Sequence, residues 1–537
     1  MSGPSVWDSI IIGAGHNGLV AAAYLARAGL RVLVLERRDI VGGACVTEEP
    51  WPGYKVSTAA YLVSLLRPEI VRDLALEEAG LGLVRRDPAG FAPFLDGSHL
   101  TVYPDENRMR AELKRFCAST PADCEAYFQF ERDVQRAAAV VDATSLSAPP
   151  TPAGMLRAFE AAGCGELYAE FVEGSVRDLM DGRFESDRLK AVLATDGLIG
   201  TDGGPSTSGT AYVLLHHYLG MAAGSRGEWA YVRGGMGTIT RLLAQRAHEA
   251  GAEILTGCDV ARCEPKPVAT GKSGWAVRLA DGRAFTGETV LSGVDPFNTF
   301  VNLVSPRFDT GRTRETYAIE AYGRQTGASA KINLAVSELP RFTCLGDAGH
   351  GDTAGPEHVG TVHLCEGMDA LEAAWADAAA GRPSHTPMIE MYIQTSVDPS
   401  LAPAGRHILS LFVQYYPYSK PASEPDPDPD AFTDRVIEIV GRYAPNVPGS
   451  ILHRQVLTPW RLEQQFGLGG GHIFHGDLLP PHLWSGRPGY GCDGPRTGFD
   501  GLYLCGSGAH PGGCVSGAPG YNAARAALQD LGLAPGV

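Results

Sequence analysis

The chain has 537 residues, is 44% hydrophobic and carries 45 Lys and Arg against 61 Asp and Glu, a net charge of −16. That length and apolar content suit a large core split into roughly two to four domains. The acidic balance excludes a nucleic-acid-binding role and strong attraction to anionic lipid.

No secretory leader is read at the N-terminus: Trp7 and Asp8 interrupt it, and the first basic residue is Arg27. The 11 cysteines include no C-x-x-C pair, so neither a zinc site nor a redox disulfide is expected. An odd number of scattered thiols fits a reducing cytoplasm. No window reaches the roughly 18 apolar residues of a membrane span. The nearest, Gly203 to Ser225, holds no Asp, Glu, Lys or Arg but contains Pro205, His216 and His217. It is expected either to wall an apolar tunnel or to be plain core.

The first informative unit runs from Asp8 to Glu36. Ile10 to Ile12 form a short apolar strand. Gly13 makes a tight turn, and Gly15, lacking a side chain, lets backbone amides approach a pyrophosphate. Gly18 lets the following helix lie close to the strand. The helix N-terminus directs partial positive charge at the same place. Ala21, Ala22, Ala23 and Ala26 keep the helix thin, and Gly29 caps it. Val32 to Leu35 read as a second buried strand. Glu36 ends it about 20 residues past the turn, where a carboxylate accepts from ribose hydroxyls. With 67 glycines, chance G-x-G-x-x-G matches are expected, so strand, helix and acid together carry the reading. An acid at Glu36 favours FAD or NAD over NADP.

Gly42-Gly43 follow, a pair that lets the chain pass closely over a flat ligand. From about 60 to 230 the pattern is helical. Thr120-Pro121-Ala-Asp123 predicts a helix start with a hydroxyl cap, and Thr151-Pro152 another. After Gly234-Gly235-Met-Gly237 come a helix over 238–250, a strand over Ala252 to Leu255, and a further strand from Asp259. A hairpin is expected around Asp281-Gly282, and a separate strand over Glu288 to Ser292. Strands and helices alternate from about 300 to 460. The Pro- and Asp-rich segment Lys420 to Asp430 predicts a surface loop before a helix over 431–443. Finally Leu502 to Cys505 form a strand, Gly506 to Gly513 a turn, and Ala518 to Leu531 a helix. That second helix N-terminus can stabilise negative charge on a flavin ring.

The strand pieces imply an α/β fold. One Rossmann-type nucleotide domain is drawn from residues 1–60, 231–300 and 460–537, and an inserted α+β substrate domain from 61–230 and 301–459.

These blocks resemble one family, the phytoene desaturase-like FAD oxidoreductases, nearest to cyanobacterial-type β-carotene ketolases and PYROXD2-like proteins. The resemblance rests on I-I-G-A-G-H-N-G-L-V-A-A-A-Y-L at 11–25 and L-E-R-R-D-I-V-G-G-A at 35–44. It continues through R-G-G-M-G at 233–237, S-G-V-D-P at 292–296 and G-H-I-F-H-G-D at 471–477. It ends with L-Y-L-C-G-S-G-A-H-P-G-G at 502–513 and G-A-P-G-Y-N-A-A at 517–524.

It implies an amine-oxidase-like fold and non-covalent FAD. Gly13, Gly15 and Gly18 would hold the pyrophosphate, Glu36 the adenosine ribose with Arg38 near it, and Asn17 and Arg37 would also be cofactor-binding. Gly42, Gly43 and Ala44 would pass near the flavin. Val260 and Gly293 would line the adenine region, and Gly506, Pro511, Gly512 and Gly513 the ribityl chain and ring. Cys514 and Tyr521 depart from the pattern beside that turn, and the insert matches far less than the FAD blocks, so cofactor transfers and substrate does not.

The chemistry implied is hydride transfer between flavin N5 and an apolar conjugated or allylic substrate (a carotenoid, isoprenoid or polyene), as desaturation, saturation or isomerisation. No second strand–G-x-G-x-x-G–helix unit is seen, so oxygen, a quinone or a carrier protein would close the redox cycle. His216, His217, His472, His475 and His510 are read as structural, and no general base is assigned. Two alternatives stay open: an amine-oxidase-type dehydrogenase acting on a C–N bond, and a non-catalytic prenyl-binding protein of the Rab GDP-dissociation-inhibitor type. A cytoplasmic enzyme with peripheral membrane contact is compatible with all of this.

Overall fold

The strand Trp7–Ile12 is the spine of the first sheet. In the computed structural model, which describes residues 6–267, 273–304, 323–348, 353–419, 428–489 and 494–533, it pairs in parallel with Val32–Leu35 on one side and Ala284–Ser292 on the other. Glu253–Leu255 extends the sheet beyond Val32–Leu35, and Leu502–Leu504 pairs with the end of Ala284–Ser292, both in parallel. Strands from three distant stretches of chain therefore share one sheet. Parallel strands buried on both faces need continuous apolar runs, and Val32, Leu33, Val34 and Leu35 are all buried.

The antiparallel strands Val260–Pro267 and Ser273–Leu279 complete the sheet, with the hairpin at Asp281-Gly282 as expected. Ala284–Ser292 is a single strand rather than two pieces: its first half pairs with Ser273–Leu279 and its second with Leu502–Leu504. The helices His16–Arg27, Gly237–Glu249 and Ala518–Asp530 pack on this sheet through small and aliphatic residues. Gly29 takes φ +86° and its amide donates to the Ala26 carbonyl.

A second, seven-stranded sheet runs in the order Ile451–Leu457, Ser329–Val336, His407–Gln414, Met388–Tyr392, Thr361–Leu364, Gly90–Pro93, His99–Val102. One face buries Ile332, Leu334, Val362, Met391 and Leu411 against the helix Pro429–Tyr443. Residues of the other face, such as Tyr392 and Phe412, share a core with the helices Asp123–Asp142, Asp187–Ala194 and Thr210–His217.

Thr120 does not cap a helix. The helix begins at Asp123, whose carboxylate instead accepts from the Glu185 and Ser186 amides, both at 2.8 Å. Thr151 caps as expected, its hydroxyl accepting from the Gly154 amide at 3.1 Å. Of the expected loop Lys420 to Asp430, residues 420–427 lie outside the described residues. Among the described residues no helix is long and apolar enough to cross a membrane, and no cluster of three His, Cys, Asp or Glu could hold a metal.

Candidate functional site

The glycine turns of the three sheet segments converge. The Gly293 amide donates to the Ile12 carbonyl at 2.8 Å. A methyl group on Gly506 would sit 2.6 Å from the Gly293 carbonyl oxygen. Beside them opens a cavity of about 350 Å³. Gly13, Gly15, Asn17 and Gly18 line it from the opening turn, and Glu36, Arg37, Gly43 and Ala44 from the next segment. Val260, Gly293 and Gly506 complete that wall.

Each glycine of the opening turn does a different job. Gly13 has φ +92°, which suits glycine. A methyl group on Gly13 or Gly15 would meet nothing within 4 Å, so both present bare backbone to open space. One on Gly18 would lie 2.2 Å from the Gly13 carbonyl oxygen, so the helix sits tight on the turn. The first amides of that helix have no intrahelical acceptor and are free for an anion.

Glu36 is held in place by backbone: its carboxylate accepts from Ala14 N at 2.7 Å and Arg38 N at 2.9 Å. Its remaining lone pairs are available to hydroxyl donors. Arg37 donates to the Gln464 and Gln465 carbonyls. Arg38 stands behind the wall, paired with Glu48 at 2.5 Å and stacked 4.9 Å over the Phe466 ring. Gly42 also lies behind it, its amide donating to the Ala14 carbonyl at 2.8 Å.

Several buried polar atoms here have no protein partner: His16 Nε2, Asn17 Oδ1, Arg38 Nη1 and His475 Nδ1. Three of these four residues, His16, Asn17 and His475, line the cavity. Buried polar atoms are rarely left unpaired, so bare glycine backbone and orphaned polar groups together fit a polar dinucleotide. Burial, with the neighbouring His475 adding to it, lowers His16 to a pKa of about 4, so it is neutral.

A second cavity of about 760 Å³ adjoins the first. The two share His16, Ala44, Leu468, Ile473 and Ser507. Its lining includes Tyr61, Tyr392, Phe412 and Cys514, and part of the uncharged stretch through His217, Tyr218 and Ser225. Tyr521 lines neither cavity; its ring packs edge-on against Tyr24 at 4.9 Å.

The expected contacts of Pro511, Gly512 and Gly513 are not seen on either wall. A methyl group on Gly513 would meet the Phe474 ring at 2.2 Å, and one on Gly512 the Leu478 side chain at 2.8 Å. These glycines pin the 474–478 loop to the closing turn. The histidines near them make backbone bonds: His510 Nε2 to the Thr144 carbonyl at 2.9 Å, His217 Nδ1 to Val213 at 2.7 Å, and His216 Nε2 to Gly513 at 3.4 Å. Sequence reading missed Arg487, which is fully buried. It ties the Phe474, Gly476, Asp477, His482 and Ser507 carbonyls together. It also missed His16, although His16 sits inside the glycine motif itself.

Residues 11–75 match the model of the NAD(P)-binding Rossmann-like domain. The chain is 40% identical to mouse pyridine nucleotide-disulfide oxidoreductase domain-containing protein 2, over 98% of this chain and 94% of that one. The chain belongs to this PYROXD2-like branch of the phytoene desaturase-like oxidoreductases. It is therefore an enzyme of the FAD-dependent oxidoreductase class, which sets aside the non-catalytic prenyl-binding alternative. It is also 24% identical to the lycopene-forming phytoene desaturase of Pantoea ananas, over 97% of this chain and 98% of that one. Cyclohexylamine oxidase from Brevibacterium oxydans shares the fold, with a TM-score of 0.59 at 16% identity, over 98% of this chain and 100% of that one.

Proposed function

We propose that the chain binds FAD in the glycine-lined cavity and transfers hydride between it and an apolar conjugated or allylic substrate held in the larger cavity. One observation carries this reading: the polar, glycine-lined cavity runs into the larger one through a common wall at His16, Ala44, Leu468, Ile473 and Ser507. A ring lying at that wall would face both a dinucleotide grip and a substrate chamber.

FAD, when bound, supplies hydride exchange with carbon at its ring. The chain's own residues do the rest. The helix His16–Arg27 offers free amides to the pyrophosphate, and Glu36 takes the ribose hydroxyls. Leu468 and Ile473 make the shared wall apolar and exclude water, which protects a transferred hydride equivalent from loss. Neutral His16 adds a hydrogen-bonding atom there without adding charge. Oxygen or a quinone takes the electrons in the second half of the cycle.

The amine-oxidase alternative needs two aromatic rings spaced to admit an amine between them. Of the rings that line the larger cavity, Tyr61 and Tyr392 touch, with centroids 4.3 Å apart, so this pair holds no amine between its rings.

The test is an absorption spectrum of the purified protein followed by anaerobic mixing with matched polyenes and amines. A yellow protein bleached by an allylic or conjugated compound supports the reading. A colourless protein that takes up no added FAD, or bleaching by amines alone, refutes it.

A further inference from the structure

The floor of the larger cavity is one face of the second sheet, and that face is polar. Lys331 pairs across strands with Phe412, Phe412 with Glu390, and Glu390 with His363. Side chains in one such row share a face. Lys331 and Glu390 are nevertheless buried, at 3% and 1% exposure. Both are held by polar partners, Glu390 by the Tyr392 hydroxyl at 2.5 Å and by His363 at 3.5 Å, and Lys331 by Asn333 and Ser410. A chamber for bare hydrocarbon alone has no use for such a polar floor.

Arg86 stands at the far end of this floor. It is only 8% exposed and lines the cavity. Its partners among the described residues are the Trp229 carbonyl at 3.1 Å and the Thr361 hydroxyl at 2.6 Å. A guanidinium has five donors; two of these are used, and among the described residues this one forms no ion pair with a carboxylate. The acids nearby do not take that place. Glu228 is engaged by Arg85 at 2.7 Å. Asp196 lines the same cavity and feels the Arg86 charge without pairing with it, and burial raises its carboxyl towards the neutral form.

The other end of the floor lies by the shared wall. Lys331 Nζ is 5.3 Å from the Tyr61 ring, and the neighbouring Ala60 amide donates to the carbonyl of Ala44, a shared-wall residue. From the strand of Lys331 to that of Thr361 is three interstrand steps, roughly 14 Å.

We infer that the cavity takes an apolar, unsaturated substrate ending in a carboxylate, which Arg86 holds at the far end so that the floor sets the distance from that carboxylate to the reacting carbon. This deepens the proposed function and rests on it in treating the larger cavity as the substrate chamber. It separates polyene and isoprenoid acids from the hydrocarbons that the chamber's apolar walls alone would admit.

The experiment titrates the FAD-saturated protein with parinaric acid, a fluorescent conjugated fatty acid, and with its methyl ester, following the probe's fluorescence. The acid is expected to bind at least tenfold more tightly than the ester, since charge-assisted hydrogen bonds are the strong ones. Arg86→Met should abolish that preference with ester binding within about twofold of the parent, and Arg86→Lys should keep part of it. The comparison of acid with ester on the unmodified protein needs no variant, so it stands even if Arg86→Met fails to fold. Equal binding of acid and ester, tighter ester binding, binding of neither, or a preference that survives Arg86→Met overturns the inference. A protein that takes up no FAD yet shows the Arg86-dependent preference would overturn the proposed function and leave this inference standing. A flavin-bearing protein indifferent to the carboxylate would do the reverse.

Discussion

Gly520 of the closing helix lies directly against Asn17 of the opening helix. A methyl group on Gly520 would sit 2.0 Å from the Asn17 carbonyl oxygen. The contact joins residues some 500 positions apart, and it is what lets the last segment of chain close on the first glycine turn. Gly520→Ala must push the two helices apart at backbone rather than at a flexible side chain. Overpacking of this kind costs about 1–3 kcal/mol. The variant is expected to melt lower than the parent and to release FAD more readily, checked by thermal unfolding with and without excess FAD. An unchanged melting temperature would mean that the helices give way without cost.

Glu36 should matter to the apoprotein as well as to the cofactor. Its carboxylate satisfies two backbone amides, Ala14 N and Arg38 N. Hydrogen bonds to charged groups contribute about 1.5–3 kcal/mol each. Glu36→Gln keeps the shape but turns one acceptor into a donor that faces an amide, and Glu36→Ala removes both acceptors. The expected order of apoprotein stability by chemical denaturation is parent, Gln, Ala. FAD affinity, read by quenching of flavin fluorescence, should fall in the same order. Equal loss of affinity in both variants with no loss of apoprotein stability would place Glu36 in ligand contact only.

Arg487 is a buried cation whose partners among the described residues are all carbonyl oxygens. Two of those carbonyls belong to Phe474 and Ser507, which line the larger cavity. Its charge also helps burial to lower the pKa of His216 and His472 to about 3 and of His510 to about 4. A positive charge just behind the wall favours negative charge on a bound ring. Arg487→Met orphans several buried carbonyls and is expected to cost at least ~3 kcal/mol. In Arg487→Lys, which keeps the charge, the reduction potential of bound flavin should stay closer to the parent than in Arg487→Gln. The Gln variant should shift negative by about 30 mV for each tenfold change in the two-electron equilibrium. Equal potentials in Lys and Gln would leave Arg487 as a structural tie alone.

The glycine-lined half of the candidate site was legible because its signals are local. A turn with φ above zero, a helix start and an acid at fixed spacing all fall between Gly13 and Glu36. The converging turns at Gly293 and Gly506 could be read for the same reason: each follows its own short apolar strand. Of the larger cavity only part of one wall, within the uncharged stretch 203–225, was legible; its polar floor was not. Lys331, Glu390 and His363 meet only through pairings between strands far apart in the chain. The alternation in Ser-Ala-Lys331-Ile-Asn333-Leu reads as a strand with one face in water, and nothing local shows that the polar face looks onto an enclosed cavity instead. Thr120 failed as a cap because Asp123, the acid that made the motif look like a helix start, is engaged by the Glu185–Ser186 turn. The Pro511–Gly513 turn was expected at the ribityl chain and ring; what the sequence did not show is that the side-chain directions of Gly512 and Gly513 are filled by Leu478 and Phe474.

Lys331 makes the enzyme's stability depend on pH in a direction opposite to that of a salt-bridged lysine. Two of its donors go to Asn333 Oδ1 and Ser410 Oγ, and no carboxylate is among its hydrogen-bonding partners. Burial lowers its pKa from 10.5 to about 7. Between those values the unfolded chain holds a proton that the folded chain has released, so stability rises with pH across that window. The slope from this one group is at most about 1.4 kcal/mol per pH unit. Below pH 7 both states are protonated and the cost of burying the charge is felt in full; above 10.5 both are neutral and it vanishes. Lys331→Met removes the titration. The difference in unfolding free energy, parent minus variant, should therefore climb between pH 7 and pH 10 and be flat below pH 6, measured by urea denaturation in a series of buffers. A difference that falls with rising pH would show that Lys331 is paired with an anion in the folded protein and keeps its proton.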